Sequence, residues 1–400
     1  MMGRWLDPDL PPIFYLLLLG RFFNMVGNSL VFPFLAVFLA SRLHGSIALV
    51  GVVLSLYGLT QVLSVLVGGI LVDGWGKKRV MLVSLGVGSV AAFLVGSLGP
   101  LPLVLAALFV MGFSLPLFQP ASMAIVADWV PQERLSNAYA LTRVASNAGI
   151  IIGPMLGSFL ADHGYFWLFA LDSMTLILFF GLVAWRIPES PRRFLQSARQ
   201  VIGGTFAVRH DRAFLGFALL WLATWAVYAQ LYQVMPAYMH LDLHLPPGNF
   251  GYLAAENGAL VVLLQLPITR LAGRLTRSHA MAFGVGCYAL GFFIAWLFSH
   301  GIGLYLAVVA ITMGEDAINP TASAWVVERA PESQRGRYLG FFSLSSRLGG
   351  SVGPLLGGLL LAAGPSPWLL VTTGAAVLVA LGYSRHPMAA RESVPEASAS

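Results

Sequence analysis

The chain has 400 residues, of which 58% are hydrophobic and only 10% charged. Soluble domains carry about 25% charged residues, so charge this sparse excludes a water-facing surface of such size. The net charge is +6, and the one cysteine, Cys287, leaves no disulfide framework within the chain and no cysteine metal cluster.

Apolar blocks of the length a membrane helix needs, about 20 residues, recur twelve times. The first, 13–40, is too long for the core of a signal peptide and lacks a small-residue cleavage site, so no cleaved signal is expected. Arg21, Asn24 and Asn28 lie three and four apart on it and share one face. That face is expected to look into a central cavity. Arg21 would there pair with an acid or meet an anionic group of a substrate; alternatively it reaches back to the near membrane surface.

The second block, 46–72, runs into GGILVDGWGKKRV, where Gly69, Asp73, Gly76, Lys77, Lys78 and Arg79 form G-x-x-x-D-x-x-G-K-K-R. Gly69 is expected to allow close helix approach and Gly76 a tight turn. The basic cluster holds this loop on one side of the membrane. Asp73 stands at a span end, where a carboxylate seeks a cation or a helix N-terminus. Blocks three and four cover 80–98 and 101–127, with Asp128 just beyond.

The fifth block, 137–162, contains Arg143, which shares the ambiguity of Arg21, and the pattern G-x-x-x-G-P-x-x-G in Gly149, Gly153, Pro154 and Gly157. Small residues permit close packing, and proline bends a helix. The sixth, 165–187, puts Asp172 near its outer end, where an interfacial position is expected. The longest polar stretch follows, Pro188 to Arg212, with Arg192, Arg193, Arg199, Arg209 and Arg212. It divides the chain into a six-helix bundle over 1–187, a cytoplasmic linker over 188–212 that suits a surface helix, and a second six-helix bundle over 213–400 with a short tail.

On the seventh block, 213–240, Trp221, Trp225, Tyr228 and Tyr232 recur at helical spacing on one face, toward cavity or lipid. The eighth, 249–275, sets Glu256 beside Asn257; the ninth, 279–298, holds Cys287. The tenth, 302–328, carries Glu315 and Asp316 in MGEDAINP, pointing about 100° apart on a helix. Acids within spans are functional candidates by default. The eleventh, 338–363, repeats the glycine pattern as Gly349, Gly353, Pro354 and Gly357, extended by Gly358, and the twelfth covers 366–384.

With both termini in the cytoplasm, 19 of the 23 lysines and arginines fall on the cytoplasmic side, Arg42 alone falls outside, and Arg21, Arg143 and Arg347 lie within spans. The positive charge then faces anionic headgroups of the inner leaflet rather than nucleic acid. The halves repeat at an offset of 200: besides the glycine pattern, Pro120 matches Pro320, Asp128 matches Glu328, and Pro131 matches Pro331. Parallel repeats of this kind fit a transporter with its site between the halves near the midplane.

The loop from Gly69 to Arg79 resembles the signature of the major facilitator superfamily, and the resemblance extends over the chain in span count, two-half repeat and central basic linker. It implies an all-α membrane fold of two pseudo-symmetric six-helix bundles working by alternating access. It also implies that Asp73 helps lock the outward-facing state, with Lys77 and Asp128 as partners; Gly74 stands where a basic residue is usual. The fifth-span pattern is similar to that of drug–proton antiporters, which implies export. Gly314, Glu315 and Pro320 resemble a multidrug-facilitator pattern, which implies proton coupling at Glu315, with Asp316 and Glu256 as further candidates. Arg21, Asn24, Asn28, Arg143, Asn257, Trp225 and Tyr228 would line the substrate site. The usual fourth-span arginine would fall near Leu108 and is absent, which shifts weight to the acids of the second half.

No P-loop, zinc-ligand helix, nucleophile elbow or dinucleotide fingerprint stands in a suitable context, so no enzyme activity, cofactor or metal is expected and an ion gradient is the remaining energy source. The expectation is a monomeric inner-membrane exporter of lipophilic small molecules, with protons and membrane lipids as its other partners. The alternatives are a facilitator for one metabolite (a sugar, amino acid, organic anion or lipid), with Arg21 and Arg143 as anion ligands, and a non-transporting receptor, for which the soluble parts are too small.

Overall fold

The computed structural model describes residues 10–131, 134–189, 207–299, 301–331 and 334–388. Among these, all regular structure is helical. Twelve long helices follow one another: α1 (Pro12–Arg42), α2 (Ile47–Trp75), α3 (Lys77–Ser97), α4 (Leu101–Trp129), α5 (Leu135–His163), α6 (Tyr165–Arg186), α7 (Arg212–Leu241), α8 (Asn249–Ala272), α9 (Arg277–Leu297), α10 (Ile302–Arg329), α11 (Arg335–Ala362) and α12 (Pro365–Arg385). Eleven are long and apolar enough to cross a membrane. The other, α11, carries Arg335, Arg337 and Arg347 among glycines and serines, yet its 28 residues are ample for a bilayer at 1.5 Å per residue. This is a multi-pass membrane protein.

Prolines explain the irregular turns. α1 tightens to a 3-10 turn over Phe32–Phe34, around Pro33, and α4 does so over Leu115–Leu117, around Pro116. α7 widens to a π-turn over Gln230–Val234, directly before Met235 and Pro236. Proline lacks the amide proton that would bond back to the carbonyl four residues earlier, so the ladder shifts register there.

The described residues fall into two compact units. The first gathers those within Met1–Ile202, Tyr228–Ala259 and Gly350–Trp368; the second those within Gly203–Val227, Leu260–Gly349 and Leu369–Ser400. In the first unit α1 packs along α5 and α6, and α3 along α4 and α6. Phe38 meets Phe169 edge-on at 4.9 Å, both rings buried. In the second unit α9 lies along α10, and a ring cluster of Phe217, Trp221, Trp325 and Phe342 fills the space beside them, with Trp221 and Phe342 stacked at 4.8 Å. Leucines such as Leu178, Leu219 and Leu378 are exposed, as lipid-facing positions require.

The first unit does not end at the polar stretch after α6. Parts of α7, α8 and α11 belong to it, because they pack on the ends of α1, α2 and α5 remote from Lys77. Ser351 Oγ donates to the Ser55 carbonyl (2.8 Å), and a methyl placed on Gly358 would stand 2.9 Å from Gly51 Cα. The Gly248 amide donates to Asp162 (3.0 Å), and Ser158 donates to the Gly248 carbonyl. The last turns of α7 meet those of α1.

Candidate functional site

The α2–α3 junction turns at Gly76, whose φ of +94° is costly for any residue with a side chain. That turn starts α3 at Lys77 and aims its amine at α4. Lys77 forms an ion pair with Asp128 and donates to the Ala124 carbonyl (3.2 Å). Lys78 donates to the Ala184 carbonyl at the end of α6 (3.0 Å), and Arg79 lies 3.7 Å from Glu189, both exposed. Asp73 is half-buried and forms no ion pair among the described residues. Gly69 departs from expectation. No atom approaches its missing side chain within 4 Å, while the close approach falls one residue earlier, where Gly68 meets Pro120 at 3.1 Å. Neighbouring positions point about 100° apart, and Gly68 is the one that faces α4.

The same junction is built again 200 residues later, where Arg277 at the start of α9 pairs with Glu328 at the end of α10. Beside it, Arg329 grips Asp211 with two hydrogen bonds (2.9 and 2.8 Å), and the Tyr338 hydroxyl adds a third (3.1 Å). Burial pushes the Asp211 carboxyl up, but the donors from Arg329, the Phe214 amide and Tyr338 outweigh it and hold the group below the usual carboxylate range. Arg277 was legible beforehand, since Lys77 lies 200 residues upstream; no sequence signal marked Asp211.

The glycine pattern of α5 faces α1. A methyl on Gly149 would stand 2.9 Å from the Phe22 carbonyl oxygen, one on Gly153 2.8 Å from the Val26 carbonyl, and one on Gly157 2.7 Å from the Phe34 ring. Ser29 Oγ donates to the Gly149 carbonyl (2.9 Å). The copy in α11 faces α7: Gly349 meets Trp225 at 2.8 Å, Gly357 meets Val234 at 2.7 Å, and Gln230 in the π-turn donates to the Gly353 carbonyl (2.9 Å). Pro154 and Pro354 stand inside their helices. The Pro154 carbonyl lies 2.9 Å from where a Gly251 side chain would begin, and the Pro354 carbonyl lies against Gly51.

Polar side chains also lie inside the first unit. Arg21 Nε donates to Ser146 of α5 (3.0 Å), and its guanidinium stands 5.6 Å from the centre of the Phe118 ring; it reaches across the bundle rather than back to the membrane surface. Asn24 and Asn28 are half-buried on the same helix. The side chain of Arg143 lies outside the described residues, as do Arg192, Arg193 and Arg199. Tyr232 donates to buried Asn257 (2.7 Å), and its ring lies 5.8 Å from that of Tyr228. Next to Asn257, Glu256 Oε2 is buried with no hydrogen-bond partner among the described residues.

In the second unit Trp225 meets Trp221 edge-on at 6.1 Å. Glu315 is half-buried, whereas Asp316 is 1% exposed with both carboxyl oxygens unbonded among the described residues. Its backbone carbonyl takes the bonds instead, from Gln265 (3.2 Å) and Thr269 (3.4 Å). Asp172 also departs from expectation. It is no interfacial residue but a fully enclosed one, 1% exposed, because α1 packs over it through Gly27. Among the described residues no cluster of histidine, cysteine and acidic side chains could hold a metal ion.

A model of the Major Facilitator Superfamily matches the chain at residues 17–255 and 231–399. Among curated proteins the chain is similar to a Na(+), Li(+), K(+)/H(+) antiporter of Planococcus maritimus, 27% identical over 84% of this chain and 87% of that protein. It is also similar to the multidrug resistance protein MdtH of Yersinia enterocolitica, 25% identical over 89% of this chain and 90% of that protein. A solved structure of a variant of the nucleoside transporter NupG superposes with a TM-score of 0.80 at 14% identity, over 93% of this chain and 98% of that one, a likeness of fold alone.

Proposed function

This chain belongs to the major facilitator superfamily, and on that footing we propose that it is a proton-coupled antiporter exporting lipophilic small molecules by alternating access. The observation that carries the reading is made in each unit separately: Asp316 of α10 has both carboxyl oxygens, and Glu256 of α8 its Oε2, buried and unbonded among the described residues. Such groups are costly and rare inside a membrane and mark proton or ion pathways by default. Glu315 and Asp316 share the coupling role, with Glu256 as a further relay. The lipophilic substrate lies against Tyr228 and Tyr232, with Asn24, Asn28 and Asn257 as polar contacts. Relatives named as a multidrug resistance protein and as a cation/proton antiporter support this class of activity.

The basic loops put both termini in the cytoplasm of an inner membrane. In that orientation the packed ends of α1, α2 and α5 with α7, α8 and α11 face outward, so the conformation is closed to the outside. Asp73, without an ion pair among the described residues, is then the unlocked half of an outward-state latch. The monomer is sufficient for the cycle.

Reconstituted protein in liposomes, with an imposed pH gradient and a panel of lipophilic dyes, tests the reading. Export should follow the gradient and collapse when it is dissipated. Glu315→Gln should abolish gradient-driven export while leaving substrate binding within a few-fold; export that persists in that variant sinks the coupling assignment. Arg21, held inside the bundle on Ser146, favours a second reading as a facilitator for one anionic metabolite. Saturable uptake of a single solute, with no dye export, would decide for it.

A further inference from the structure

Asp172 takes no part in the coupling just proposed. It stands seven residues into α6, about 10 Å along the helix axis, and is 1% exposed. Its Oδ1 has no hydrogen-bond partner among the described residues. α1 supplies the room: a methyl on Gly27 would stand 2.6 Å from that oxygen. One turn further along α6, Thr175 bonds to the Asp172 backbone carbonyl (2.8 Å) and leaves the carboxyl alone.

The groups facing this carboxyl are neutral. From α2 comes Tyr57, buried and within electrostatic reach, with Gln61 hydrogen-bonded to it. On α3, Ser89 is bonded to Ser173, the next residue along α6. The described charged groups on these helices are engaged or distant. Arg21 of α1 is held by Ser146, Asp73 and Lys77–Arg79 lie at the far ends of α2 and α3, and Asp162 of α5 is bonded to the Gly248 amide. An ionised carboxylate here would keep a dry oxygen unpaired, a cost that no neighbour offsets.

We propose that Asp172 is a proton-loading site of the first bundle, enclosed and neutral in the conformation described and ionised when a shift of α1 admits water. The moving wall is α1. Gly27 lies on the stretch of α1 that rides on the glycine stripe of α5, where Gly149 and Gly153 meet Phe22, Val26 and Ser29. A displacement of α1 along that stripe carries Gly27 off the carboxyl. The site rests on the antiport reading for its purpose, a further proton carried per cycle, but not for its measurement.

The test is infrared difference spectroscopy on the full chain in lipid, wild type against Asp172→Asn, across the pH range the protein tolerates. The wild type should show a protonated-carboxyl C=O band, absent from the variant, that fades as pH rises and returns as it falls, with a one-proton titration. Asp172→Glu should restore a titrating band at a shifted frequency, which also answers an asparagine variant that fails to fold. A band absent at every pH means a permanent carboxylate, and one present at every pH a permanently neutral structural acid; either overturns the proposal. Failure of gradient-driven export in liposomes would remove the antiport reading and leave this band untouched, so the two failures are told apart.

Discussion

Asp211 shows how much one side chain can gather: two donors from Arg329, one from Tyr338 and one from the Phe214 amide. Because its folded pKa is depressed, its contribution is fully present above the ordinary carboxylate pKa and is lost as pH falls through the lower folded value. Asp211→Asn should therefore unfold at lower temperature than wild type at neutral pH, by about 1–2 kcal/mol after allowing for solvent. That gap should close below about pH 4. Thermal unfolding in detergent across pH measures it, and a gap that widened on acidification would contradict the assignment. At this scale the sequence was partly readable. Lys77, Asp128 and Glu328 stood out by motif and by the repeat. Asp211 and Asp172 did not, because their settings come from helices distant in sequence, and no local pattern records that Gly27 closes over a carboxyl on α6.

Glycines that look alike in sequence separate once the helices are packed. Gly153 meets the Val26 carbonyl and the Ser29 hydroxyl, whereas Gly69 and Gly350 have open space. Gly153→Ala should force α5 off α1 and cost about 1–3 kcal/mol. Gly69→Ala and Gly350→Ala should be neutral or gain up to about 1 kcal/mol from helix propensity. Melting temperatures of the three variants decide it, and equal losses would mean that the stripe is not the sliding surface. Helix number and order were legible from apolar length alone. The exception has a cause: the π-turn of α7 arises from Pro236 acting on a backbone whose side chains look ordinary.

For the whole molecule, the proposed alternating access makes the interlocked ends of α1, α2 and α5 with α7, α8 and α11 one state of the cycle. Opening that side must separate Asp162 from Gly248, now joined by a hydrogen bond. In a Cys287→Ser background, which removes the native cysteine, Asp162→Cys with Gly248→Cys should cross-link on oxidation and stop transport, and reduction should restore it. Transport that continues through a complete cross-link would show that this side does not open. The two-bundle plan was readable from the offset of 200, but that part of the second bundle interlocks with the first was not, since it depends on the state the protein occupies.

The duplicated junction carries one more consequence. Lys77 with Asp128 in one half corresponds to Arg277 with Glu328 in the other, so both partners differ while the polarity is the same. Either member can be exchanged for its longer or shorter homologue without any step that leaves a charge stranded, so a path of single substitutions connects the two versions. The clasp thus tolerates either basic and either acidic side chain at the same place in each half.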